Sequence, residues 1–170
     1  MTKRIVLAAA FVALLVTVPG RTAGVENPET KAVNAAFDRY VLGWQKGDIE
    51  MLSKSYSHDA RMTAYWPDPV HPLRIESWDT LRKYLVEVFD LIKGMDLDFD
   101  RREIDVYGDV AVLTTRWTWR RPSNPFFEHG RGTFVFKKEA GKWMIVHEHS
   151  SVTPFIPGGD SEILVKDSSR

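Results

Sequence analysis

Between residues 29 and 46 the apolar positions Val33, Ala36, Phe37, Tyr40, Val41 and Trp44 recur every three or four residues, the period of a helix with one buried face. Gly47 follows where a left-handed C-terminal cap would fall, and Asp48 is placed to cap a short second helix, Ile49 to Lys54. Residues 60–66 alternate as a strand. Prolines 67, 69 and 72 then make a stiff loop through which no helix can run. Ser77 caps a third predicted helix, Trp78 to Lys93, with Leu81, Tyr84, Leu85, Val88 and Ile92 on one face and Gly94 at its end. After Gly94 the period changes to two. Residues 97–108, 109–121, 128–139 and 141–153 read as four consecutive strands, with tight turns at Gly108-Asp109 and Ala140-Gly141. Helices first and a meander of long strands afterwards predict an α+β fold, with the helices on one face of a curved antiparallel sheet.

The N-terminus stands apart from this pattern. Lys3 and Arg4 precede an apolar run from Ile5 to Val18, interrupted only by Thr17 and closed by Pro19-Gly20. That is the layout of a secretory signal peptide, and the run is short for a membrane span. Residues 1–24 are therefore expected to be removed, with cleavage between Arg21 and Val25. The mature chain is expected to be secreted or periplasmic and free of the membrane. Residues 25–156 form one domain of ordinary size, and residues 157–170 form a polar tail. Without Lys3, Arg4 and Arg21, 20 basic residues face 23 acidic ones, which gives no electrostatic reason to expect nucleic acid as a partner. The absence of cysteine excludes disulfides and a lipoprotein anchor.

The chemistry concentrates near the C-terminus, in "GKWMIVHEHSS". Two residues apart on a strand, His147 and His149 share a face. A metal would need a third ligand such as Glu128 or His129, and no further ligand spacing supports one, so no metal is expected. The face they occupy depends on the hairpin register. A three-residue turn, Glu139 to Gly141, sets His147 opposite Thr133 and His149 opposite Arg131. A four-residue turn sets Glu148 against Arg131 and turns the histidines toward Phe134 and Trp143. In both, Arg131 is a fixed cation among partly buried groups. Tyr40, Trp44 and Tyr65 form a natural aromatic wall, and Trp117 belongs to a row of inward or interface positions on its strand. Asp59, Asp98 and Asp100 are possible bases. The chain holds no GxSxG, no HExxH and no phosphate-cradling glycine loop, so no cofactor is expected.

The stretches "YSHDARMTAYW", "GDVAVLTTRW" and "GRGTFVFKKEAGKWMIVHEHSSV" resemble the SnoaL-like branch of the nuclear transport factor two-like superfamily, over about Glu29 to Pro154. That superfamily includes ketosteroid isomerase, limonene epoxide hydrolase and the association domain of calcium/calmodulin-dependent kinase type II, whose C-terminal hairpin is similar. The resemblance implies a cone-shaped barrel, a strongly bent antiparallel sheet wrapped around three N-terminal helices, with a pocket at the open end and often a homodimer. It also implies that Arg116 and Arg131 could line a cavity, as arginines do in the kinase association domain. The reading that follows is a protein binding a small hydrophobic or oxygenated ligand, with Tyr40, Trp44, Tyr65, Arg116, Trp117, Arg131, His147 and His149 at the pocket. The alternatives are an isomerase, cyclase or dehydratase in which His147, His149 or Asp59 serves as acid/base, and an assembly module.

Overall fold

The computed structural model describes residues 27–67, 74–91, 96–121 and 124–153, apart from the side chains of 91, 121 and 124–127. The expected signal peptide, most of the proline loop and the C-terminal tail lie outside the described residues. Three helices, α1 (Pro28–Lys46), α2 (Ile49–Ser53) and α3 (Trp78–Leu91), accompany six strands. These are β1 (Thr63–Tyr65), β2 (Ile75–Glu76), β3 (Asp96–Tyr107), β4 (Val110–Arg121), β5 (Asn124–Glu139) and β6 (Lys142–Val152). They form one sheet in the order β2-β1-β6-β5-β4-β3, which is not closed. The sheet is mixed rather than wholly antiparallel, because β1 runs parallel to β6. The connection from β1 to β6 passes through the rest of the domain, so nothing forces the hairpin geometry that makes neighbours antiparallel.

The helix limits follow local chemistry. The Asn27 side chain accepts the Glu29 amide at the start of α1, and Gly47, with φ +62°, returns its amide to the carbonyls of Gly43 and Trp44. Asp48 caps α2 by accepting the amide of Met51. The periodic face of α1 is the buried one: Val33, Ala36, Phe37, Tyr40, Val41 and Trp44 all lie in the core. Across from it stand Leu113, Phe134, Phe136 and Ile145 of the sheet, each fully buried.

Bulges bend the sheet and decide what points inward. In β3 the register shifts between Asp100 and Glu103, with Arg101 left-handed at φ +50° and the Thr115 hydroxyl donating to the Asp100 carbonyl at 2.7 Å. The last hairpin turns on two residues, Ala140 (φ +47°) and Gly141 (φ +79°), so that Glu139 pairs with Lys142. Phe136 pairs with Ile145, but Val135 pairs with His147, which leaves Val146 as an extra residue in β6. This combination matches neither turn considered from sequence. Trp143 and Ile145 point inward; past the extra residue the alternation restarts, and Glu148, opposite Phe134, points inward too. His147 and His149 go to the outer face. In effect, one inserted residue places a carboxyl in the core and keeps both imidazoles out of it.

Candidate functional site

Glu148 is 2% exposed and is reached from three elements. The Tyr40 hydroxyl, from the middle of α1, donates to its Oε1 at 3.1 Å, and the Trp66 indole N–H, just past β1, donates to the same oxygen at 3.0 Å. The Tyr56 hydroxyl donates to Oε2. Each donor is there for a local reason. Tyr40 belongs to the buried stripe of α1. Tyr56 follows α2, where the chain runs beside β6: the Ser57 amide donates to the Ile145 carbonyl and the Ile145 amide to the Ser55 carbonyl, both at 2.8 Å. Ala64, fully buried and paired with Glu148 across β1 and β6, is small enough to leave the carboxyl room beside it.

Among the described residues no Arg or Lys pairs with this carboxyl. Burial raises its pKa from 4.5 to about 7, against the lowering effect of hydrogen bonds from Tyr56, Tyr40, Trp66 and Ser150. Burial, followed by the charge on Glu148, also pushes the Tyr40 and Tyr56 hydroxyls well above their usual range, so both remain protonated donors. The group that exchanges a proton near neutrality is Glu148. An ionised carboxylate only accepts and fits these donors as they stand. A protonated one must donate, and Trp66 cannot accept. The proton therefore belongs on Oε2, where the Tyr56 oxygen can receive it while the Tyr56 hydroxyl turns toward Tyr40.

From this polar cluster a line of aromatic rings runs along the inside of the sheet. Tyr40 packs on Phe37, Phe134 and Tyr56 at centroid distances of 5.4, 5.1 and 5.9 Å. Trp44, one turn further along α1, meets Trp66, Phe89 and Trp119 at 5.5, 5.3 and 6.3 Å, and Trp119 meets Trp117 at 6.2 Å. The line is closed at one end and more open at the other. Phe37 and Tyr56 are fully buried, whereas Phe89 and Trp119 are only partly so.

The residues expected to share one pocket divide between the two faces. Tyr40, Trp44 and Trp117 are on the inner face, in the core. Tyr65, His147 and His149 are together outside: the Tyr65 ring lies 5.7 Å from His147 and 6.0 Å from His149, and His147 Nδ1 shares a 2.8 Å hydrogen bond with the Thr63 hydroxyl. Partial burial, and then the neighbouring His149, lower the His147 pKa. Arg116 and Arg131 are cross-strand partners, also outside; Arg116 is ion-paired with Asp100, and Arg131 is exposed. Asp59 is ion-paired with Arg61 at 2.8 Å, which holds its carboxyl far below the usual range. Asp98 is exposed on β3. Among the described residues no group of three or more His, Cys, Asp or Glu could hold a metal ion.

Reading the sequence alone passes over Glu148, Tyr56 and Trp66 as a unit. A signal was present: Tyr40 on a buried helical stripe needs a partner for its hydroxyl, and Glu148 was the one acidic residue in the final strand. The missing piece was the bulge at Val146.

An open, bent sheet wrapped on three helices is the architecture of the nuclear transport factor two-like cone. The chain belongs to the SnoaL-like domain family, which matches residues 33–155. Among solved structures it is similar to a nuclear transport factor two-like protein of unknown function from Pseudomonas putida KT2440, at 18% identity and a TM-score of 0.68, covering 78% of this chain and 92% of that one. A protein from Streptomyces avermitilis, provisionally assigned as a dehydratase of the same fold family, gives 17% identity and a TM-score of 0.66 over 76% of this chain and all of its own. A Xanthomonas campestris protein, provisionally assigned as a calcium/calmodulin-dependent kinase II association domain, gives 24% and 0.62, covering 76% and 91%. At these identities the likeness is one of fold. No protein of curated function matched the chain.

Proposed function

We propose that the protein binds a small, hydrophobic, oxygen-bearing molecule on the inner face of the cone, with the Glu148 cluster as the polar end of its site. The observation that carries this reading is a carboxyl, pKa raised to about 7, at the closed end of a line of aromatic rings. Rings supply flat apolar contact, and a carboxyl that keeps its proton near neutrality can donate to a carbonyl or hydroxyl oxygen. The test is a thermal-shift and fluorescence screen of neutral oxygenated hydrophobes against the mature protein, repeated with Glu148→Gln. Binders are expected, with affinity falling as pH rises through 7 in the wild type and staying flat in the variant. If no member of such a screen binds, the site is structural.

The same carboxyl favours a second reading, a cofactor-independent isomerase, cyclase or dehydratase in which Glu148 rather than a histidine moves the proton. A group poised near pH 7 suits that task, and the histidines lie on the other face of the sheet. Export remains part of the proposal, on the strength of the N-terminal pattern, as does the homodimer implied by the family resemblance. Sedimentation at twice the chain mass is expected for the latter.

A further inference from the structure

The binding reading above leaves open what kind of oxygen the ligand presents and which residue recognises it. Trp44 bears on this. Its indole N–H is buried, and among the described residues it is the one buried side-chain donor without a hydrogen-bond partner. The Tyr40 hydroxyl feels the indole as a weak donor, which lowers its pKa, but the contact falls short of hydrogen-bond geometry and leaves the indole N–H without a full partner. A buried donor with nothing to donate to costs about 1–3 kcal/mol, and proteins of this size carry few of them. Trp44 could have been a phenylalanine at no such cost, since its other contacts are made by its rings.

Its position gives the cost a use. Trp44 stands one helical turn from Tyr40, where the aromatic line passes from fully buried rings to the partly buried Phe89 and Trp119. The neighbouring indole, Trp66, already spends its N–H on Glu148. A molecule entering from the open end would therefore meet an unused donor before it met the carboxyl. An indole N–H can only donate, so the matching atom must be an acceptor. Among the described residues the cluster offers an anion no cationic partner, and a charged acid would lie near Glu148. The ligand's acceptor is thus a neutral one, and the rings around it favour a planar body.

We propose that Trp44 is the specificity-determining donor of the site, and that it selects planar, neutral, carbonyl-bearing ligands over hydrocarbons of the same shape. The inference rests on the binding reading and is tested so that the two can fail separately. The probes are 2-acetylnaphthalene and its carbonyl-free counterpart 2-ethylnaphthalene, titrated against the mature wild type, against Trp44→Phe, and against a protein carrying benzothienylalanine at position 44. That last replacement keeps the bicyclic shape and puts a sulfur, which cannot donate, in place of the N–H. At roughly pH 8.5, where Glu148 is ionised and cannot itself donate to the ketone, the wild type is expected to prefer the ketone by tenfold or more, and both variants to bind the two probes about equally, with the ethyl probe's affinity unchanged by benzothienylalanine. If the ketone preference persists in the benzothienylalanine protein, or the wild type shows none, Trp44 does not select the ligand, and the binding site stands without it. If neither probe, nor any other planar aromatic, binds the folded wild type, the binding reading itself fails and this inference with it.

Discussion

At the level of single residues, Glu148 sets the behaviour of the core. Its unfolded-state pKa is near 4.5 and its folded value about 7, so below 4.5 both states hold the proton and above about 7 neither does. Between these limits the unfolded chain releases its proton first. Folding stability therefore falls as pH rises through this window and levels off above it, by an amount on the order of 3 kcal/mol. Urea denaturation of the mature protein from pH 4.5 to 8 should show that decline. Glu148→Gln should flatten it, since an amide can donate to the Tyr56 oxygen and accept from Tyr40 and Trp66 without titrating. A profile that Glu148→Gln leaves unchanged across this window would mean that the carboxyl is ionised throughout. Asp59 acts in the opposite sense and at lower pH: Arg61 depresses its pKa, so what it contributes is present at neutrality and disappears in acid.

Among the elements, the contrast between two glycines tests the packing of the sheet. A Cβ at Gly130 would lie 1.9 Å from the Ser151 carbonyl oxygen and 2.4 Å from the Trp117 ring, whose indole N–H donates to the Arg131 carbonyl at 3.2 Å. A Cβ at Gly108 would meet nothing within 4 Å, although its φ of +61° strains any other residue. Gly130→Ala is expected to lose more than about 3 kcal/mol, and Gly108→Ala about 1 kcal/mol, by chemical denaturation. Equal losses would show that Trp117 does not lie across β5. The elements themselves were largely legible in the sequence. The stripe from Val33 to Trp44, the cap at Gly47 and the four alternating strands each report a local rule that the folded chain obeys. The inner and outer faces of β6 were not legible, because Val146 is an ordinary apolar residue, and nothing local says that it is the one left unpaired. The extra residue shows itself only in the pairing of β6 with β5, where the register shifts between Val135 and Phe136. Tyr56 and Trp66 were hidden for a related reason: they reach Glu148 across 92 and 82 residues of chain.

Across the whole molecule, the cone brings three distant segments around one carboxyl and leaves the histidines and arginines of the expected pocket on the other side of the sheet. Export is a separate expectation at this scale: mass spectrometry of the secreted or periplasmic protein should find a mature N-terminus between residues 21 and 25, and an intact Met1 on exported material would oppose it. The central claim is that the interior of this cone holds a carboxyl that gives up its proton near neutrality. Carbon-13 NMR of protein labelled at the glutamate side-chain carboxyl carbon measures this directly, with Glu148→Gln identifying the resonance. The account predicts one glutamate carboxyl titrating with a midpoint near 7, well separated from the exposed glutamates. A Glu148 resonance that titrates at or below 4.5 would contradict it.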